Sequence, residues 1–205
     1  MAEKIRLELK RQREDLSRFR NYLPTLKLKK QQLQGEIQRT RMAWDDAVAQ
    51  RDKVLGEVRT WCALLGEETA APVEDLARVR ELTVGRRNVA GLELEVFRGI
   101  TFEDATYSLF STPPWVDRAT DTLRALVTWR ERIRLLADQH RRLAAELRKV
   151  TQRVNLFEKV KIPQARHNIR VVTIYLGDQQ TAAVGRAKIA KSKLEVAEAE
   201  GDLSP

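Results

Sequence analysis

LSRFRNYLPTLKLKKQQLQGEIQRTRMAWDDAVAQRDKVLGEVRTWCALL, residues 16–65, decides the fold. Alternating steps of three and four from Leu16 visit fifteen positions and find apolar residues at twelve: Leu16, Phe19, Leu23, Leu26, Leu33, Ile37, Trp44, Ala47, Val54, Val58, Trp61 and Leu65. Lys30, Thr40 and Arg51 are the exceptions, and Ile5 and Leu9 carry the phase backwards. A heptad kept this long is a coiled-coil seam, because the stripe on a globular helix is wider and shorter.

A second arm has the same grammar. Leu126, Trp129, Ile133, Leu136, His140, Leu143, Leu147, Val150, Val154 and Phe157 follow the three-four step from Thr122, with only Thr122 and His140 polar. After Phe157 the phase slips by one residue and resumes as Ile162, Ala165, Ile169, Val172 and Leu176. Pro163 sits at the slip, where it either bends a continuous helix or opens a separate one at a tolerated first-turn position. Pro24, in the first seam, poses the same choice between a kink and a helix start.

As continuous helix, Ile5 to Leu65 would span roughly 90 Å and Asp117 to Leu194 roughly 115 Å. Each seam needs a partner, and the residues between the arms let the chain turn back. The expected fold is therefore mainly α: a long antiparallel two-helix coiled coil with a small central β-hairpin and short-helix region. The segments are expected to be 1–66, 67–116 and 117–205, the last ending in a basic tail.

The period changes to two in LTVGRRNVAGLELEVF, residues 82–97, where Leu92, Leu94 and Val96 alternate with Glu93 and Glu95. Leu82 and Val84 precede the turn signal Asn88-Val89-Ala90-Gly91, so this reads as a hairpin. Ala70-Ala71-Pro72 closes the first arm. STPPWVD, residues 111–117, opens the second, with Ser111 or Thr112 available as a cap.

Composition agrees with long helices. Charged residues are 33% of the 205 and aromatics 6%. Net charge is +9, unevenly placed: residues 66–115 hold nine acids against five bases, a net of −4, which leaves +13 on the flanking arms. Such arms call for an acidic partner.

Chemistry is sparse. The single cysteine, Cys62, fits a small buried residue in a reducing compartment. His140 and His167 lie near no second metal ligand, no phosphate loop occurs, and Asp45-Asp46 and Glu67-Glu68 read as solvated surface. No catalytic set, metal or cofactor is expected. No apolar run reaches the ~20 residues of a membrane span and the N-terminus lacks a signal-peptide core, so a soluble chain is expected.

RVNLFEKVKIPQARHNIRVVTIYL, residues 153–176, resembles the C-terminal signature of the D subunit of vacuolar and archaeal-type rotary ATPases, carried by Val154, Asn155, Glu158, Val160, Ile162 and Pro163. RAKIAKSK, residues 186–193, is similar to that family's closing basic run. NVAGLELEVF, residues 88–97, is similar to its central hairpin segment, and LKLKKQQL, residues 26–33, to its first-helix element. Pro24, Gln31-Gln32 and Glu3-Lys4-Ile5-Arg6 depart from the usual pattern and mark a divergent branch.

The resemblance implies a non-catalytic central rotor shaft. Its paired terminal helices would enter the hexamer of catalytic and non-catalytic nucleotide-binding subunits, and its middle would meet a small stalk subunit and a funnel-shaped subunit on the membrane ring. On that expectation Lys27, Lys29, Arg166, Arg170, Arg186 and Lys188 face the hexamer bearing. Asn88, Val89, Gly91 and Leu92 face the stalk partners, and Pro163 marks a bend in the shaft. The chain would be cytoplasmic, touching the membrane only indirectly and binding no nucleic acid. The rival reading is a free-standing basic coiled coil that binds nucleic acid through GRAKIAKSK, Arg166 and Arg170, or tethers other proteins. Such a protein needs neither the hairpin nor the proline at the slip.

Overall fold

The computed structural model describes residues 2–61, 63, 77–104, 113 and 115–201. Cys62, Leu65, Glu67, Glu68, the Ala70-Ala71-Pro72 arm end and the Ser111 and Thr112 caps lie outside the described residues. Helix α1 is Ala2–Arg59, strand β1 Val79–Val89, strand β2 Leu92–Phe102 and helix α2 Trp115–Asn155. A π-helical segment, Leu156–Lys161, leads into helix α3, Ile162–Gly201. The two long arms are helical and the middle is an antiparallel hairpin, as the change of hydrophobic period implies.

The helix ends follow the backbone dipole. Glu3 stands in the first turn of α1 and Arg59 in its last, and Asp117 opens α2. Pro24 lies inside α1, so it is not the start of that helix. Beside it the Thr25 hydroxyl donates to the Tyr22 carbonyl at 2.7 Å.

The contacts divide the chain into two compact units, residues 1–27 with 152–205, and residues 28–151. In the first, the seam positions of α1 from Leu16 to Leu26 are half-buried, and Val154, Ile162 and Ala165 are buried. Asn168 Nδ2 donates to Gln12 Oε1 at 3.4 Å, and the Phe19 and Phe157 rings lie 5.3 Å apart. Rising numbers on one helix meet falling numbers on the other, so the pair is antiparallel.

In the second unit the seam centres on Leu33, Thr40 and Ala47 of α1 and Leu143 and Val150 of α2, all buried. Lys29 Nζ pairs with Glu146 Oε1 at 2.9 Å, and further along α1 Arg41 and Trp44 share a cleft with Ala137 and His140, so this pair is antiparallel too. Trp44 departs from the seam pattern: it is exposed and lines a small cleft with Arg41, Ala137 and His140. His140 thus sits half-buried at the edge of the seam.

The hairpin belongs to this second unit. Ala90 (φ 51°) and Gly91 (φ 82°) form the two-residue turn, with both central residues left-handed as a type I′ hairpin requires. Asn88 and Val89 are therefore the end of β1, not part of the loop, and Asn88 Oδ1 accepts the Gly91 N–H at 3.0 Å. Leu94 is 1% exposed and anchors the inner face, while Glu93 and Glu95 point to solvent.

Three side chains fix the hairpin to the helices. Arg124 of α2 donates to the Glu103 carbonyl at 2.9 Å and lies over the Phe102 ring. Gln139 of α2 donates to the Glu95 carbonyl, and Glu36 of α1 accepts from Arg87 of β1 at 2.8 Å. This explains a second buried stripe on α2, Leu135 and Gln139, which no heptad position contains.

Leu33 and Leu143 are each 0% exposed, so either truncation to Ala is expected to cost about 2–5 kcal/mol in urea unfolding. Leu7→Ala, at a site 63% exposed, should stay within about 0.5 kcal/mol of the parent. Asp138 offers a pH test. Burial alone would raise its carboxyl, but the Arg141 and Arg142 guanidiniums outweigh it and hold the pKa below the ordinary 3.8. A depressed folded value gives stability that is present above the unfolded pKa and lost as pH falls through the folded one. Acid titration of the melting temperature should therefore show a smaller loss below about pH 4 for Asp138→Asn than for the parent.

Candidate functional site

No described group of His, Cys, Asp or Glu could hold a metal ion, and no described helix is long and apolar enough to cross a membrane. What the described residues offer instead is a set of surfaces and a helical irregularity in the C-terminal arm.

The irregularity lies at the slip in hydrophobic phase. Phe157 and Ile162 are five residues apart, one more than the three-four alternation allows, and the extra residue is absorbed by the π-helical segment. Ile162 N–H donates to the Phe157 carbonyl, five residues back. Both side chains thus stay on the covered face of a helix that does not stop. Pro163 follows at once. It carries no N–H, and in an α-helical turn its ring would clash with the carbonyl four residues earlier. The wider turn relieves that clash, so the slip and the proline are one feature.

The turn is tied to α1 within the first unit. Lys27 Nζ reaches Glu158 Oε1 at 2.8 Å, and Phe157 packs on Phe19. Both pairs hold residues inside the π-helical segment, where the backbone hydrogen bonding changes. Glu158 was legible only as a motif residue, since nothing in its spacing announces a partner 131 positions away.

The basic residues expected at a bearing fall into two groups. Lys27 and Lys29 each pair with a carboxylate of the same chain, Glu158 and Glu146. Arg166, Arg170, Arg186 and Lys188 are exposed on α3, interspersed with the exposed apolar residues Val171, Ile174, Tyr175, Val184 and Ile189. In the hairpin, Asn88 and Gly91 are exposed at the tip, Leu92 is half-buried, and Val89 is buried against the unit's own core. Glu36, Arg87, Arg124 and Gln139, which fix the hairpin, have no motif or period to betray them.

The fold defines a class: a mainly helical protein with two long terminal arms that pair antiparallel and a short two-stranded hairpin between them in sequence. The chain matches the family model of ATP synthase D subunits over residues 8–192, and it belongs to that family. It is 41% identical over 187 residues to the V-type ATP synthase D subunit of Borreliella burgdorferi, an alignment covering 91% of this chain and 92% of the relative. The V-type ATP synthase D subunit of Chlamydia pneumoniae is 34% identical, covering 93% of this chain and 92% of its own, and that of Chlamydia caviae 32%, covering 92% and 91%. The chain is thus a rotary ATPase subunit, and membership in such a complex implies partner subunits.

Deleting Val160 restores four-residue spacing between the seam positions and returns Pro163 to an α-helical turn. The deletion alone is expected to cost about 3 kcal/mol in urea unfolding. Combined with Pro163→Ala it should return to within about 1 kcal/mol of the parent. Equal stability of the two deletion variants would show that the π turn does not serve the proline.

Proposed function

We propose that this protein is the central rotor shaft, which couples ATP hydrolysis or synthesis in a nucleotide-binding hexamer to rotation of an ion-translocating membrane ring. The terminal arms, 1–66 and 117–205, form the shaft, and the middle, 67–116, is the coupling piece. The chain does no covalent chemistry on this reading; the catalytic subunits around it do. It lies on the cytoplasmic side, peripheral to the membrane and held there by other subunits.

One observation carries the proposal. α3 exposes Val171, Ile174, Tyr175, Val184 and Ile189 among Arg166, Arg170, Arg186 and Lys188. Large apolar side chains repeated along a solvated helix are costly to leave bare, and a sleeve of surrounding subunits would cover them. The interspersed cations suit a carboxylate-lined bearing, where charge supplies attraction and orientation more than net affinity. The pairs Lys27–Glu158 and Lys29–Glu146 then belong to the shaft's own cohesion, which narrows the bearing set to the four α3 residues.

A shaft transmits torque only if it is asymmetric, because a partner shifts an equilibrium only through differential contact. The π turn supplies asymmetry by giving one of the paired helices a residue the other does not match. The hairpin tip, with Asn88, Gly91 and Leu92, faces the small stalk subunit and the funnel-shaped subunit. Family membership favours this assembly over a free-standing nucleic-acid-binding coiled coil.

The test replaces Arg166, Arg170, Arg186 and Lys188 together by Gln in the assembled enzyme. Ion transport per ATP hydrolysed is expected to fall, on the order of several-fold, and assembly to become more salt-sensitive, with helicity unchanged by circular dichroism. Coupling equal to the parent at every salt concentration would contradict the proposal.

A further inference from the structure

Beneath the hairpin, within the unit formed by residues 28–151, lies an open cleft of about 520 Å³. Arg39 of α1, Arg87 of β1, Arg98 of β2 and Arg132 of α2 line it, against one carboxylate, Glu36. That carboxylate is already shared: Oε1 takes Arg39 at 2.6 Å and Oε2 takes Arg87 at 2.8 Å. Arg98 and Arg132 have no carboxylate partner among the described residues, so the cleft keeps a surplus of positive charge.

Arg98 is held there by the backbone. It is the extra residue of a bulge in β2, between the pairs Thr83↔Gly99 and Val84↔Phe97. Its side chain lies across Gly85, where a Cβ would stand 2.6 Å from Arg98 Nε. Arg132 stacks on the Trp129 ring at 5.2 Å, which restrains its guanidinium as well.

Thr40 gives an independent sign. It is 4% exposed and lines the cleft, yet its hydroxyl makes no hydrogen bond among the described residues. Thr120, Thr122 and Thr128 bond the carbonyl four residues back; Thr40 does not. No enclosed side-chain oxygen or nitrogen among the described residues lacks a partner, so this hydroxyl opens to the cleft.

We infer that this cleft binds a phosphate oxyanion of a small molecule, either inorganic pyrophosphate or the polyphosphate of a nucleotide. The guanidiniums offer paired donors matched to phosphate oxygens, and Thr40 adds a neutral donor near the floor. The volume falls in the range of small-molecule sites. Phe97, Leu135 and Leu136 give it an apolar wall on which a base can rest. The inference does not depend on the rotor reading.

The test is calorimetric titration of the full chain with pyrophosphate and with ATP at about 0.15 M salt. Saturable one-to-one binding is expected. Arg98→Gln with Arg132→Gln should weaken it about tenfold or more, and Thr40→Val about threefold. Arg11→Gln with Arg13→Gln, on the exposed surface of α1, should leave it unchanged, with helicity the same in all variants. Equal affinity for the two ligands assigns the site to the phosphate alone, and tighter ATP binding adds the apolar wall. Absence of saturable binding, or an equal loss in the Arg11 and Arg13 variant, would overturn the inference. So would binding unaffected by the changes at Arg98, Arg132 and Thr40.

Discussion

Each long arm of this chain carries an apolar seam at heptad spacing, and neither can bury it alone. A seam of Leu, Val, Ile and Phe at heptad spacing is flanked largely by charged and polar residues, so each arm buries its seam against the other. The chain must therefore return on itself, and the pairs within each unit run antiparallel. The hairpin, the ion pairs between α1 and the C-terminal arm, and the π turn are all arranged around that requirement.

The arms were legible because their period repeats. Apart from Trp44, every described apolar position of the first seam is buried or half-buried, and the second seam is covered along its whole described length. The hairpin was legible from alternation and the turn signal Asn88-Val89-Ala90-Gly91. The turn was less so in detail: Ala90 and Gly91 alone carry positive φ, while Asn88 acts from the strand through its side chain. The stripe Leu135 and Gln139 escaped notice, since a residue that meets the hairpin obeys no heptad. Partners such as Glu146 for Lys29 escaped for a related reason, because a surface lysine on a helix shows nothing of its environment in sequence.

The slip at Phe157 to Ile162 joins sequence to mechanism. A one-residue error in a hydrophobic repeat has two resolutions: the helix stops, or its turn widens. The turn widens, and the residue that would have broken the helix follows immediately. One irregular stretch thus keeps the seam closed and makes the two paired helices unequal. On the proposed rotor reading that inequality would be useful, because a symmetric rod could not distinguish catalytic sites arranged around it. The charge distribution fits the same division of labour. The arms carry the surplus of cations and the middle of the chain is acidic.

As a rotor shaft, one such chain would stand at the axis of a hexamer. The most direct measurement is native mass spectrometry of the complex assembled from this chain, the catalytic and non-catalytic nucleotide-binding subunits and the small stalk subunit. The account requires one copy of this chain per hexamer, lost on raising salt before the hexamer itself dissociates. Three copies per hexamer, or a hexamer that forms complete with no place for this chain, would contradict it.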